Sequence, residues 1–305
     1  MKYLLLLCCS WPLLLWSQQI PNITASNSMQ FAWNPAMTAP WESLEASAVY
    51  HQHWLGFEDA PRTLTAGFQA PIQSLNMSLG LQLVQDNVGL LQQTGLSFAY
   101  AYHLDMGGQG RLALGLLANY SQYRFDGTNV LAYDLDDNLL AADGEGTSNA
   151  PNFSAGVYYT SVGADDYDES HFYMGISAMQ AIPNNLRFDD VNEQAIIRQD
   201  LHAFANIGYR FVTNSGVLEP SLRALYAASN IMHFQLDLKY EAYETFWMGF
   251  FLDSAFRLGL QAGYIVPDIG DGDLLLGLSS SYKISPSGNE QGLSYQGLMT
   301  YRYNL

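Results

Sequence analysis

The stretch "MHFQLDLKYEAY", Met232 to Tyr243, decides the fold. His233, Gln235, Asp237, Lys239 and Glu241 form one polar set, and Met232, Phe234, Leu236, Leu238, Tyr240 and Ala242 stand between them. A strand turns successive side chains to opposite faces, so this alternation describes a strand with a different solvent on each face. Wound as a helix, the same residues would spread their charges round the cylinder and leave no apolar face. In a soluble sheet the two solvents are core and water. In a transmembrane barrel they are lipid and lumen.

Composition favours the second pair. The 305 residues suit one large β domain or two ordinary ones. Only 13% are charged, about half the share usual in soluble domains. Gly (26) and Tyr (20) are plentiful. Outer-membrane barrels have this balance, because half of each strand faces lipid and aromatic girdles mark the interfaces. The net charge of −17 excludes nucleic acid as a partner class. Many acids cluster at 134–137, 165–169, 188–193 and 268–273, which read as solvated loops.

The first residues read as an export signal. Lys2 is followed by an apolar run from Tyr3 to Trp16, and Ser17–Gln18 is a plausible cleavage point. The run is shorter than the ~20 residues of a comfortable membrane helix. Removal of residues 1–17 as a signal peptide takes Cys8 and Cys9 with it, so the expected mature chain has no thiol. The nearest later candidate for a membrane helix, Phe246 to Pro267, contains Asp253, Arg257 and Gln261. Charges in a lipid-embedded helix cost several kcal/mol each, so two strands around Asp253–Ala255 are the better reading. An exported chain without an anchoring helix is either soluble outside the inner membrane or a barrel.

Strand-like segments recur at 44–54, 63–71, 76–86, 93–104, 111–124, 151–162, 171–180, 198–212, 217–227, 231–243, 245–253, 255–265, 273–284 and 293–304. The two longest connections, 125–150 and 181–197, are both odd-numbered along the chain, whereas the even-numbered ones are short. A barrel with long outer loops and short periplasmic turns sorts its connections in this way. The sequence therefore predicts an all-β chain: one transmembrane antiparallel β-barrel of about fourteen strands over 44–305. Residues 18–43 form an N-terminal lead, read as periplasmic or tucked into the barrel.

With the barrel in view, further residues carry a resemblance. They are Asn34–Pro35–Ala36, the Trp54, Gly56 and Phe57 group, Ala60–Pro61 with Thr63, and Asp86 followed by Gly89. "YAYHL" at 100–104, "PNFSAGVYY", "FYMGIS" and "FWMGFFL" follow in order. Together they resemble the PorP/SprF family of type IX secretion outer-membrane proteins. The resemblance implies a non-enzymatic role beside the secretion or gliding machinery in a Gram-negative outer membrane. It also implies partners among machinery proteins, or a cargo or adhesin with a C-terminal sorting domain. Family members tend to end on an aromatic residue, whereas this chain ends "TYRYNL". The alternative function is passive diffusion or uptake of hydrophobic solutes.

Candidate chemistry is sparse. A Ser–His–Asp hydrolase needs a serine beside an activating His, and no G-x-S-x-G is present. His51 and His53 share a strand face and would meet a metal only with a third ligand. "DLDDNLLAADGE", 134–145, mimics part of a calcium loop but has Leu139 where the turn needs Gly. No cofactor is implied. The row His233, Gln235, Asp237, Lys239 and Glu241 faces the expected lumen, either lining a channel or closing it with an internal network.

Overall fold

A computed structural model describes residues 29–40, 43–57, 59–126, 145–163, 169–188, 196–227, 231–243, 245–284 and 292–304. Residues 1–17, read above as a signal peptide, the calcium-like loop at 134–144 and the final Leu305 lie outside the described residues. The strands are β1 (Ser43–Gln52), β2 (Arg62–Ile72), β3 (Met77–Val88), β4 (Leu91–Asp105), β5 (Arg111–Asp126), β6 (Glu145–Thr160), β7 (His171–Met179) and β8 (Asn184–Arg187). They continue as β9 (Ile196–Gln199), β10 (His202–Thr213), β11 (Gly216–Ala227), β12 (Ile231–Ala242), β13 (Phe246–Asp253), β14 (Arg257–Ile269), β15 (Gly272–Lys283) and β16 (Leu293–Asn304).

Fourteen of these close into a barrel. Each pairs antiparallel with the next, β7 pairs with β10, and β1 closes the ring on β16. β8 and β9 form a separate two-stranded sheet. All fourteen expected strands have a barrel counterpart. The opening stretch is β12, and its two faces separate as the alternation requires. Met232, Phe234 and Leu236 are 62, 43 and 49% exposed, whereas Gln235 and Asp237 are 6 and 8% exposed. The exposed set faces lipid and the buried set faces the lumen.

Ser43 lies opposite Asn304, so the first strand starts and the last strand ends at one rim. The same rim holds the tight turns at 73–76, 214–215 and 270–271. The long 127–144 connection and the β8–β9 hairpin belong to the opposite rim, which the loop rule makes the outer one.

One expectation needs correction. The segment 198–212 is not one strand: β9 ends at Gln199 and β10 starts at His202. Period-two alternation runs across that break because it records which face a residue occupies, not whether the strand stays in the wall. The lead takes the second of the two positions open to it. Its described part, residues 29–40, sits inside the barrel rather than beneath it, with Phe31, Ala36 and Thr38 fully buried. The physical reason is volume. A barrel this wide is not filled by its own inward side chains, and the apolar lead supplies the missing bulk.

Candidate functional site in the barrel lumen

The lumen is built around Asn34. Its backbone is extended (φ −142°, ψ 108°), and it caps the 3-10 turn Pro35–Met37 by accepting the Ala36 N–H at 3.0 Å. Proline suits the first position of such a turn, since it has no N–H to leave unpaired. The Asn34 amide nitrogen donates to the Val157 carbonyl at 3.0 Å and the Ile176 carbonyl at 3.3 Å, on β6 and β7. One side chain thus holds its own turn and pins it to the wall, and its oxygen and both its N–H groups have partners. Thr38 closes the turn from the other end, its hydroxyl donating to the Pro35 carbonyl at 2.7 Å.

The wall is cut to receive this segment. A Cβ at Gly115 on β5 would overlap the backbone of Pro35 and Ala36, and one at Gly156 on β6 would overlap the Asn34 side chain. Glycine is needed here because another backbone approaches closely. Met29 and Phe31 pack on Val49, Ala99 and Leu117. Ala36 and Met37 pack on Ala113, Tyr158 and Tyr173. Toward the lower rim the Ala39 N–H donates to Gln69 Oε1 at 2.8 Å. Gln69 in turn donates to Glu45 at 2.7 Å, and Arg302 holds the other Glu45 oxygen at 2.8 Å.

On the far side the segment meets the polar row. The Trp33 ring stands edge-on to Phe204 at 5.2 Å, and the Arg223 guanidinium lies 5.8 Å from the Trp33 ring centre. Arg223 grips Asp237 with Nε at 3.2 Å and an Nη at 3.0 Å, and Gln235 donates to the same carboxylate at 2.8 Å. Lys239 and Glu241 pair at 2.7 Å. A guanidinium on a carboxylate in this fork is among the stronger side-chain pairs. The row's side chains therefore bond to one another and to their neighbours, and small cavities of about 50 and 90 Å³ remain beside the segment.

His233 has partners that sequence spacing did not reveal. Its Nδ1 is 3.3 Å from Ser254 Oγ and its Nε2 is 3.6 Å from Asp253 Oδ2. Asp253 already accepts the Ala255 and Arg257 N–H groups at 2.9 Å and the Arg257 Nε at 2.7 Å, while Ser254 Oγ accepts the Phe234 N–H at 3.0 Å. The cluster clamps the turn between β13 and β14.

The remaining motif positions are spread along the upper half. Trp54 (φ 48°) and Gly56 (φ 93°) are left-handed residues of the β1–β2 loop. Phe57 is 63% exposed beside them. Ala60 is buried, and the Pro61 carbonyl accepts the His53 N–H at 2.9 Å. Asp86 accepts the Thr63 hydroxyl at 2.6 Å, and Gly89 (φ 57°) makes the β3–β4 turn. The His51 and His53 ring centres lie 4.2 Å apart, with the planes tilted by 41°. Among the described residues no three His, Cys, Asp or Glu side chains gather as a metal site. None of these remaining positions reaches the lumen centre, where Asn34–Pro35–Ala36 meets Tyr158 and Tyr173. Sequence reading missed the glycines opposite it, because a Gly in a strand does not announce what approaches it.

The model of the type IX secretion system membrane protein PorP/SprF family matches residues 16–301. No curated protein matches the chain. Among solved structures, the CymD monoaromatic hydrocarbon channel is 12% identical, with a TM-score of 0.55 over 91% of this chain and 93% of its own. The toluene transporter TbuX of Ralstonia pickettii is 10% identical, with a TM-score of 0.54 over 90% of this chain and 93% of its own. The toluene transporter TodX of Pseudomonas putida is 8% identical, with a TM-score of 0.54 over 92% and 94%. At such identities the likeness is one of fold: these are outer-membrane barrels, as this chain is.

Proposed function

Since the chain belongs to the PorP/SprF family of type IX secretion membrane proteins, matched over residues 16–301, we propose that it is a non-enzymatic component of that secretion and gliding machinery in the outer membrane. Its role is to support secretion or surface attachment of cargo proteins that carry a C-terminal sorting domain. The observation that carries this reading is the occupied lumen. Phe31, Ala36 and Thr38 fill the centre at 0% exposure, and Asn34 bonds both to its own turn and to the wall. A barrel filled by its own chain is suited to holding partners at its rims and outer wall rather than to passing a polypeptide through its middle.

The second reading, a passive channel for small or hydrophobic solutes, draws on the three similar barrels, which are named as a hydrocarbon channel and two toluene transporters. It requires a route past residues 29–40. A pull-down of the tagged protein from its own membranes in mild detergent, followed by mass spectrometry, separates the two. Machinery proteins or a sorting-domain cargo are expected. A barrel that purifies alone and conducts solute in liposomes would overturn the secretion reading.

A further inference from the structure

β6 is unequally partnered. It pairs with β5 from Glu145 to Thr160, but β7 pairs only with Ala155–Thr160. Among the described residues the upper half of β6 is wall on one side and edge on the other. The cause is the departure of β7. Gln180 takes a left-handed φ of 54°, and the Ala181 N–H makes a last backbone bond to the Phe153 carbonyl at 2.8 Å. The Asn152 side chain then holds the N–H and C=O of Ile182 at 3.1 and 2.9 Å. Beyond Pro183 the chain folds inward. Leu186 and Phe188 are buried against Tyr123 and Ala150, and Gln199 donates to the Tyr123 hydroxyl at 2.7 Å. The β8–β9 sheet therefore packs on the inner faces of β5 and β6, and among the described residues a notch is left in the wall beside β6.

The backbone facing the notch follows from ladder geometry. Alternate residues of an antiparallel strand direct both N–H and C=O to the same side. The Phe153 carbonyl points toward β7, so those of Pro151, Asn149 and Thr147 do as well. Pro151 has no N–H to leave unpaired, which fits an edge. Thr147 and Asn149 offer both groups. Their side chains, with those of Gln122 and Arg124 on β5, are polar and exposed. The apolar band stops lower, at Tyr120 and Phe153, which are 52 and 54% exposed. The notch thus opens to water above the lipid, and unpaired backbone of this kind is not tolerated within lipid.

We propose that Glu145–Asn152 of β6 is a docking edge that pairs with an extended strand of a surface-exposed polypeptide. Only an extended backbone repeats N–H and C=O groups at the spacing this edge presents, and strand addition is an established mode of peptide capture. Proteins normally shield such edges, and here Pro151 and the Asn152–Ile182 bonds shield only the lower end. The proposal rests on the secretion reading, which supplies exported polypeptide at this surface.

The test places a photo-crosslinking phenylalanine derivative at Thr147 or Asn149 of the full-length protein in its native outer membrane. A third position, Thr94 on the fully paired β4, serves as the control. Crosslinks from Thr147 and Asn149 are expected to fall two residues apart on one segment of an exported polypeptide, with none from Thr94. Asn149→Pro removes an edge N–H without touching the β5 ladder, so it should cut that capture by about tenfold while the barrel keeps its folded gel mobility. Crosslinks confined to this chain's own loops, or to a second copy of it, overturn the proposal. So does capture unchanged by Asn149→Pro. If pull-down still recovers machinery or cargo in those cases, the secretion reading stands and only the edge fails. If neither appears, both fail.

Discussion

Asn34 concentrates the lumen's chemistry in one amide. Its oxygen takes the Ala36 N–H and its nitrogen serves the Val157 and Ile176 carbonyls, at 3% exposure. Asn34→Ala strands the buried Ala36 N–H and removes a second bond from two carbonyls that are already paired across β6 and β7, and loss of a buried partner costs about 1–3 kcal/mol. Asn34→Asp keeps shape and cap but turns a carboxylate toward two carbonyls. It should therefore lower the thermal midpoint in detergent at least as far as Asn34→Ala does. An Asp variant as stable as wild type would show that the two wall bonds contribute nothing. The sequence displays the Asn–Pro–Ala step plainly, but not its partners, which stand 123 and 142 residues away. Asp237 is similar. Its inward direction follows from alternation, whereas its bond to Arg223 depends on the β11–β12 register, with Ser221 opposite Asp237. Alternation carries no register.

Strands were the most legible elements, because each side chain of a membrane strand must match lipid or lumen and the pattern repeats at every second residue. β12 allows a direct check. Leu236 is 49% exposed on the lipid face, so Leu236→Arg should cost about 2–4 kcal/mol near mid-membrane and block recovery of folded barrel. Asp237→Leu faces inward and removes only the acceptor for Arg223 and Gln235, so folded barrel should still form. Heat-modifiable gel mobility reads both variants, and the reverse order would put the wrong face on the lipid. Two elements were not legible. The β8–β9 hairpin continues the alternation of its neighbours, and only Pro183 and the left-handed Gln180 mark where the chain leaves the wall. The lead of residues 29–40 folds as two 3-10 turns of three residues each, too short for any periodicity to register.

At the scale of the whole molecule, a fourteen-strand ring is wider than its own side chains can fill, and this one draws its missing core from upstream of its first strand. Wall and filling are matched pieces: glycines clear the wall where Asn34, Pro35 and Ala36 press on it. The charge-poor, glycine- and tyrosine-rich composition announced the barrel but not the filling, since composition counts residues without placing them. The match has a measurable consequence in planar bilayers. Wild-type protein should conduct poorly, because ions must pass residues 29–40 and the Arg223–Asp237 and Lys239–Glu241 pairs. Deleting residues 29–40 should raise single-channel conductance severalfold. Gly115→Val gives an independent test with the chain intact. Valine suits a strand, but its side chain would occupy the space of Pro35 and Ala36. The barrel should form, the segment should be pushed from its seat, and conductance should rise toward that of the deletion. A wild-type conductance already equal to the deletion's would mean that the segment does not seal the lumen. The passive-channel reading would then gain the open route it requires.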